Sequence, residues 1–449
     1  MSIVVGPALC RRVRRPVAVQ AAGYLDRSES EYLALLPMNM GLCSPAVLAH
    51  HAVGARDAVR AARYAKAAAR EAIRAGSHTE AAAFSQTALD HLEGAPPGER
   101  AELLHQLGYE QYMTSRLKDA IANVSASFPL WEQAGDAAGL SAAHEAVAIF
   151  EYYNARRRDA EAHADQAASI VREPGPELTY GLARATRGYL AYMRSDFELA
   201  MSCYGDAGRI AERERHGELA LRTRFVQAAA ALAGGDEEAR PRLTEHIEAA
   251  RAHEWDELAS TGYSNLANLD VEQRRFRAAE HLLEESLRFT MERDIPICRH
   301  WQTGVRSRLH FSNGHWSAAL EDAELVLESE GMPLATLWPL LVTALVPLRR
   351  GDENASTAPF EAAWELADRI DEPLRRLAVL SALAERMWMT ELPDVRVART
   401  SSSRCARPAQ LGSEGLHIGR QSLRVVKQQH LCLGLLPPNE PLLWNVRPR

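Results

Sequence analysis

The segment GSHTEAAAFSQTAL, residues 76–89, decides the fold: a loop glycine, a short polar turn, then an alanine-rich amphipathic stretch. Six further segments repeat it: SRLKDAIANV (115–124), ARRRDAEAHA (155–164), SDFELAMSCY (195–204), GDEEARPRL (235–243), RRFRAAEHLL (274–283) and GHWSAALEDA (314–323). The first alanine of buried type in each falls at Ala81, Ala120, Ala160, Ala200, Ala239, Ala279 and Ala319, so every step is 39 or 40 residues. A fixed period of this length marks a repeat architecture, in which each unit buries its apolar face only against its neighbours.

The phase extends beyond these markers. Twelve residues before them stand Ala69, Gly108, Ala148, Gly188, Gln227, Ala267 and Ser307, and seven after them Ala88, Ser127, Ala167, Ala207, His246, Ser286 and Val326. Small residues at matched places let two antiparallel helices approach closely. Three residues before the marker, Leu117, Phe197, Phe276 and Trp316 are bulky, and we expect them to wedge between the two helices. Each unit therefore predicts a helix A of roughly 15–18 residues, a short turn and a helix B of similar length. Breakers separate the units: EGAPPGER (93–100), QAGDAAG (133–139), REPGPE (172–177) and MERDIP (291–296). A degenerate eighth hairpin is expected over 334–370 with RRGDENAS as its turn, then a capping helix at about 373–390. The predicted fold is all-α, a right-handed α-solenoid of about eight helical hairpins with a period of about 40 residues.

Composition narrows the function. Apolar residues make up 47% of the 449 and charged residues 25%, the balance of a soluble globular chain. The six cysteines (10, 43, 203, 298, 405, 432) form no C-x-x-C pair, which argues against a disulfide framework or a zinc site and fits a reducing cytoplasm. Basic residues at 11, 12, 14 and 15 have no apolar run after them, so the start does not read as a secretory signal. No stretch reaches the roughly 18 uninterrupted apolar residues of a membrane helix. Lysine occurs only at Lys66, Lys118 and Lys427, and none follows a glycine, so the phosphate-cradling G-x-x-x-x-G-K-[ST] loop is absent.

The small-residue pattern resembles the tetratricopeptide repeat, whose unit is about 34 residues. The longer period is similar to the helical sensor region of large LuxR-type transcriptional regulators, the MalT-like group. LAHHAVGARDAVRAARYAKAAAREAI (48–73) resembles the join between the ATPase module and that region. LRRGDENAS (348–356) followed by FEAAWELADRIDEPLRRLAVLSALAE (360–385) resembles its last hairpins. The resemblance covers roughly 46–392 and implies a sensing or interaction scaffold. Such regulators join an ATPase, the array and a DNA-reading helix-turn-helix. No nucleotide-binding loop precedes residue 48 and no LuxR-type motif closes the chain, so no ATP- or DNA-binding residue carries over.

The ends differ from the middle. Residues 1–45 read as an irregular N-terminal segment with a charge of +2. The repeat array is assigned to 46–392, and 46–394 carries −16. Residues 393–449 read as a basic, disordered tail, with +7 from 395 onward. Because the family-like pattern stops in mid-array on both sides, we expect both ends to come from an altered reading frame, with the ancestral ATPase and DNA-binding modules lost.

Sixteen histidines give no H-E-x-x-H and no third ligand beside His246/His253 or His310/His315, and no G-x-S-x-G occurs. We therefore expect no catalytic residue, no metal and no cofactor. One constellation stands out. Eight residues before the markers lie Tyr112, Tyr152 and Tyr192, each 40 apart, then Ala231, Val271 and Phe311. Beside them lie Met113, Tyr153 and Met193, and three residues earlier Tyr109, Ile149 and Tyr189. Spacings of three and four put these on one helical face, which in arrays of this kind lines the concave groove. Tyrosine and methionine suit a helix or peptide ligand; packing between repeats is the other reading of such a stripe.

The expected function is a non-enzymatic protein-interaction or signal-sensing scaffold that takes a protein, a peptide or a small inducer in its groove, with no membrane partner. The alternative is a transcriptional regulator that binds DNA through its arginine tail, whereas the −16 array opposes nucleic acid along the groove. On the scaffold reading, titration with duplex DNA gives no salt-dependent mobility shift. A strong shift that disappears on deleting 395–449 would establish the alternative.

Overall fold

The computed structural model describes residues 44–171, 177–329, 331–352 and 356–390. The readings made for 1–43 and 393–449 lie outside these. Among the described residues there are 18 α-helices and no strand.

After α1 (Pro45–Gly54) the helices pair as hairpins: α2 (Ala58–Arg74) with α3 (His78–Asp90), α4 (Pro97–Met113) with α5 (Leu117–Ala134), and α6 (Ala137–Tyr153) with α7 (Arg157–Ile170). Next come α8 (Glu177–Met193) with α9 (Phe197–Arg213), and α10 (Gly217–Ala233) with α11 (Ala239–Ala252). They are followed by α12 (Asp256–Glu272) with α13 (Phe276–Glu292), and α14 (Pro296–Ser312) with α15 (Trp316–Leu327). A 3₁₀ turn at Pro333–Thr336 leads into an eighth pair, α16 (Leu337–Arg349) and α17 (Ala358–Ile370). The last helix is α18, Pro373–Thr390. The chain divides into two compact units, 1–147 and 148–449, each described by itself below.

Every helix A from α2 to α14 is 17 residues long, whereas helix B varies from 12 to 18. The constancy of helix A follows from how it ends. Each of the seven quoted segments begins on a residue with left-handed backbone: Gly76, Ser115, Ala155, Ser195, Gly235, Arg274 and Gly314. The next N–H reaches five residues back, as in Arg116 to the Gln111 carbonyl (2.7 Å) and Arg156 to that of Glu151 (2.8 Å). This six-to-one bond with a left-handed residue is the Schellman closure, which satisfies carbonyls the helix leaves unpaired. Non-glycine residues hold the position four times out of seven, each at a cost of about 1 kcal/mol, so tertiary packing and not local preference enforces the turn.

The marker alanines are all 0% exposed. Their partners across the hairpin explain the pattern of small residues. A Cβ on Gly108 would lie 2.3 Å from Val124 Cγ2 and 2.9 Å from the carbonyl oxygen of Ala120. Ser307 at the matching place donates its hydroxyl to the Ala319 carbonyl at 2.8 Å. Residue and marker twelve apart thus face each other at the closest approach of helices A and B.

Two expectations need correction. Gln227 is exposed and His246 only half-buried, because the turn after Gly235 is one residue shorter. Counted from the left-handed residue, the matching places are Ala228 and Ile247, both buried. The wedge reading also fails as a rule. Leu117 is buried, but Phe276 and Trp316 are half-buried and Phe197 is 47% exposed. These side chains stand at the first turn of helix B, where the rim of the hairpin meets solvent.

Arginines tie helices of the second unit together, within hairpins and between them. The Asp270 carboxylate, 0% exposed, accepts from Arg240 at 2.6 and 3.0 Å and from Arg275 at 2.9 Å. Arg306 grips Asp322 with two bonds (2.8 and 2.6 Å), and Arg349 grips Glu385 (2.6 and 2.9 Å). Such forked pairs use the planar guanidinium in a way lysine cannot.

Gly108→Ala should lower the thermal midpoint, because overpacking costs about 1–3 kcal/mol. Gly205→Ala should raise it slightly, by about 0.5–1 kcal/mol. There the new methyl meets only the flexible end of Arg209 at 3.7 Å. Circular dichroism melts of the two variants test the assignment. Equal behaviour would mean the close approach at Gly108 is not structural.

Candidate functional site

The nine residues of the expected stripe fall in both units. Tyr109, Tyr112 and Met113 belong to α4 of the first; Ile149, Tyr152 and Tyr153 of α6 and Tyr189, Tyr192 and Met193 of α8 belong to the second. In the first unit Tyr112 and Met113 are buried, and Tyr109 is half-buried with its ring 6.0 Å from that of Tyr112.

In the second unit burial divides the stripe. Tyr152 is 1% exposed, whereas Ile149, Tyr153, Tyr189, Tyr192 and Met193 are half-buried. The Tyr152 column ends helix A three residues before the left-handed turn. Counted that way it continues as Leu232, Val271 and Phe311, all buried. Leu232 stands here in place of the expected Ala231, by the same one-residue offset as above. The column therefore serves largely to pack one repeat on the next. The neighbouring rings form a connected aromatic set. Tyr189 meets Tyr152 edge-on at 5.7 Å, Tyr153 lies 5.6 Å from Tyr152, and the Tyr153 and Tyr189 hydroxyls are 3.4 Å apart. Tyr192 meets Phe197 edge-on at 6.0 Å. Tyr189 and Tyr192 also pack on the core formed by Ala185, Tyr204, Ala207 and Leu219.

Charged residues that sequence reasoning did not single out surround this set. Arg157, buried, donates to the Ile370 carbonyl (2.8 Å), to Asp371 (2.7 Å) and to Glu161 (2.8 Å). Glu161 also faces Arg194 at 3.3 Å. Glu372, 2% exposed, pairs with Arg375 at 2.5 Å, and the Arg375 guanidinium lies 5.5 Å from the Trp301 ring. No periodic signal marks these residues. They sit at turns, and the ion pair Arg157–Asp371 spans more than 200 residues of chain.

The electrostatics follow from burial. It pushes the Tyr189 phenol up to about 12, against the pull of the Tyr153 hydrogen bond, with the Glu372 charge adding to the rise. Tyr152 is raised well above the ordinary phenol range by burial and then by Glu372, with Arg375 opposing. Tyr192 is raised by burial and by Glu272. These phenols stay neutral at physiological pH, so the site offers aromatic surface and neutral hydroxyl donors, not a base. Among the described residues, no group of three or more His, Cys, Asp and Glu could hold a metal ion, and no helix is long and apolar enough to cross a membrane.

No protein-family model matches the chain, and no curated protein matches its sequence. Solved structures of helical-repeat proteins do resemble it. A Rap protein complexed with competence and sporulation factor superposes with a TM-score of 0.50 at 14% identity, covering 83% of this chain and 99% of that one. The Rap conjugation gene regulator of plasmid pLS20, in complex with the Phr* peptide, gives 0.49 at 18% identity over 61% of this chain and 76% of that one. A signal-transduction ATPase with a tetratricopeptide repeat sensor from Pyrococcus horikoshii gives 0.31 at 12% identity, over 78% of this chain and 46% of that one. The likeness is one of fold: these are tetratricopeptide-like helical repeats.

Because the folded Tyr189 phenol titrates at about 12 against an ordinary value of 10, the fold favours its protonated form. Its contribution to stability is whole below pH 10 and is lost as pH rises from 10 toward 12. Denaturation series across that window should show the loss, and Tyr189→Phe should flatten it. An ultraviolet titration in which the Tyr189 signal, identified by difference from Tyr189→Phe, ionises near 10 would show that burial does not hold the phenol.

Proposed function

We propose that the chain is a non-enzymatic helical-repeat scaffold that binds a protein or peptide segment against the half-buried face of Tyr153, Tyr189, Tyr192, Met193 and Ile149. The observation that carries this is the aromatic set itself. Rigid half-buried rings lie beside core-packed Tyr152, with the Tyr153 and Tyr189 hydroxyls 3.4 Å apart. Tyrosine offers a large contact area with few rotatable bonds and a polar tip that fixes orientation, and methionine adapts to irregular ligand shapes. Tyr109, Tyr112 and Met113 extend the same stripe in the sequence. In the structure Tyr112 and Met113 serve as core of the first unit, so the binding reading rests on the second.

The peptide class of ligand draws further support from the solved Rap complex with competence and sporulation factor, whose fold covers 83% of this chain. We read the scaffold as related to the sensor region of LuxR-type regulators, working in the cytoplasm and taking a peptide, a protein segment or a small inducer as its signal. The sequence resemblance over 46–392 supports that origin. The net charge of −16 over 46–394 disfavours nucleic acid as the ligand of this face.

Peptides selected from a random library on the full chain provide the test. Tyr153→Ala and Tyr189→Ala should each weaken the selected peptides by about fivefold or more in calorimetry, since truncating an interface tyrosine costs about 1 kcal/mol or more. Selected peptides that bind both variants as tightly as the parent would exclude this face.

A further inference from the structure

The contacts around Arg157 do more than fill space. Helices α17 and α18 stack on α16, their neighbour in sequence. At the junction between them the chain also bonds to Arg157 at the start of α7, the first whole helix of the same unit. Asp371 caps α17 in the left-handed conformation (φ 55°), its N–H donating to the Ala367 carbonyl at 3.0 Å. That turn presents the Ile370 carbonyl and the Asp371 carboxylate to a single buried guanidinium, Arg157, at 2.8 and 2.7 Å. The second Asp371 oxygen takes Arg376 at 2.7 Å. Arg157 follows Tyr152 and Tyr153 across the α6–α7 turn, so these bonds bring the junction, with buried Glu372 and its partner Arg375, to the Tyr152–Tyr189 end of the aromatic set.

The chemistry of this contact is informative. A permanent closure is most economically made of apolar side chains, yet this junction is ionic. Buried ion pairs give up most of their Coulombic gain to desolvation, so the net preference for the closed state is small. A small preference is what a two-state element requires if a ligand of ordinary affinity is to shift it. The bonds also lie where they matter. They hold the start of α18 at the α6–α7 turn, the end of the hairpin that carries Tyr152 and Tyr153.

We propose that the Ile370–Arg376 junction is a latch, tied by Arg157, that occupies the Tyr152–Tyr189 end of the aromatic face, so that partner entry and latch release are one equilibrium. The proposal rests on the reading of that face as the binding surface. Linkage makes the coupling reciprocal: weakening the latch tightens binding to the face, and binding loosens α18.

The test uses the full chain, hydrogen exchange, and the dye 1-anilinonaphthalene-8-sulfonate as a probe of exposed aromatic surface. Asp371→Asn removes the charge while keeping a residue that tolerates the left-handed turn. It should speed amide exchange across 366–383 and strengthen dye binding by about fivefold or more. Arg157→Gln should do the same, and the double variant should add little to either single one. Asp368→Asn, which breaks only the local pair with Arg376, should change neither. Adding Tyr189→Ala to Asp371→Asn should remove the gain in dye binding. Unchanged exchange in both latch variants overturns the proposal. So does faster exchange without a tyrosine-dependent gain in dye. Selected peptides that are insensitive to Tyr153→Ala and Tyr189→Ala would instead overturn the binding face itself, so the two failures separate.

Discussion

The closest approach of helices A and B within a hairpin is the constraint on which the rest of the structure depends. At Gly108 the clearance to the Ala120 carbonyl leaves no room for a methyl group, and at Ser307 the same spot is filled by a hydrogen bond to the Ala319 carbonyl. Fixing this point fixes the distance from it to the end of helix A. The Schellman turn must then fall seven residues later, even where the sequence supplies serine, alanine or arginine in place of glycine. The uniform 17-residue length of helix A is a consequence. Helix B ends in the same closure at Gly135, Arg215, Glu254 and Asp294, and its varying length comes from the shorter α3, α7 and α15 and from the late start of α11 at Ala239.

This explains which parts of the fold are legible in the sequence. Alanine markers, small partners and breakers are all set by steric demands that repeat, so they can be aligned, and the eighth hairpin and the helix at 373–390 follow from continuing the count. The one-residue offset after Gly235 is invisible to an alignment on Ala239, because that alanine is buried in either register. It shows only when the left-handed residue becomes the origin, and it moves Gln227, Ala231 and His246 to Ala228, Leu232 and Ile247. The bulky residues at the start of helix B mislead for another reason. Periodicity reports the face of a helix, whereas Phe197 stands at its end, where exposure depends on the rim.

The aromatic stripe was legible as a stripe but not as two populations. Tyr112 and Tyr152 are buried because the last turn of helix A is a packing position, which Leu232, Val271 and Phe311 fill equally well in later repeats, whereas Tyr192 in the same column stays half-buried. The half-buried rings beside that column, Tyr153 and Tyr189, carry the chemistry that packing does not consume. Charge was less legible still. Forty-nine arginines against three lysines is a visible bias. Its use becomes clear only where Arg240 and Arg275 converge on Asp270, or Arg306 on Asp322. Arg240 reaches Asp270 across 30 residues and Arg306 reaches Asp322 across 16, pairings that no local pattern announces.

Arg157 is the extreme case. Locally it is the middle arginine of the three that open ARRRDAEAHA, a charged turn like several others, and its i,i+4 bond to Glu161 is all that the sequence would suggest. Its burial is intelligible only once the second unit is followed to its end, where α17 terminates in a left-handed aspartate and offers two acceptors to one guanidinium. Three separate guanidinium nitrogens, Nε, Nη1 and Nη2, meet the Ile370 carbonyl, Glu161 and Asp371, a spread that the single nitrogen of a lysine ammonium does not have. The arginine bias and the aromatic set thus meet at one place, and in the proposed latch the side chain that ties the end of the unit to α7 is also the one that controls entry to the tyrosines.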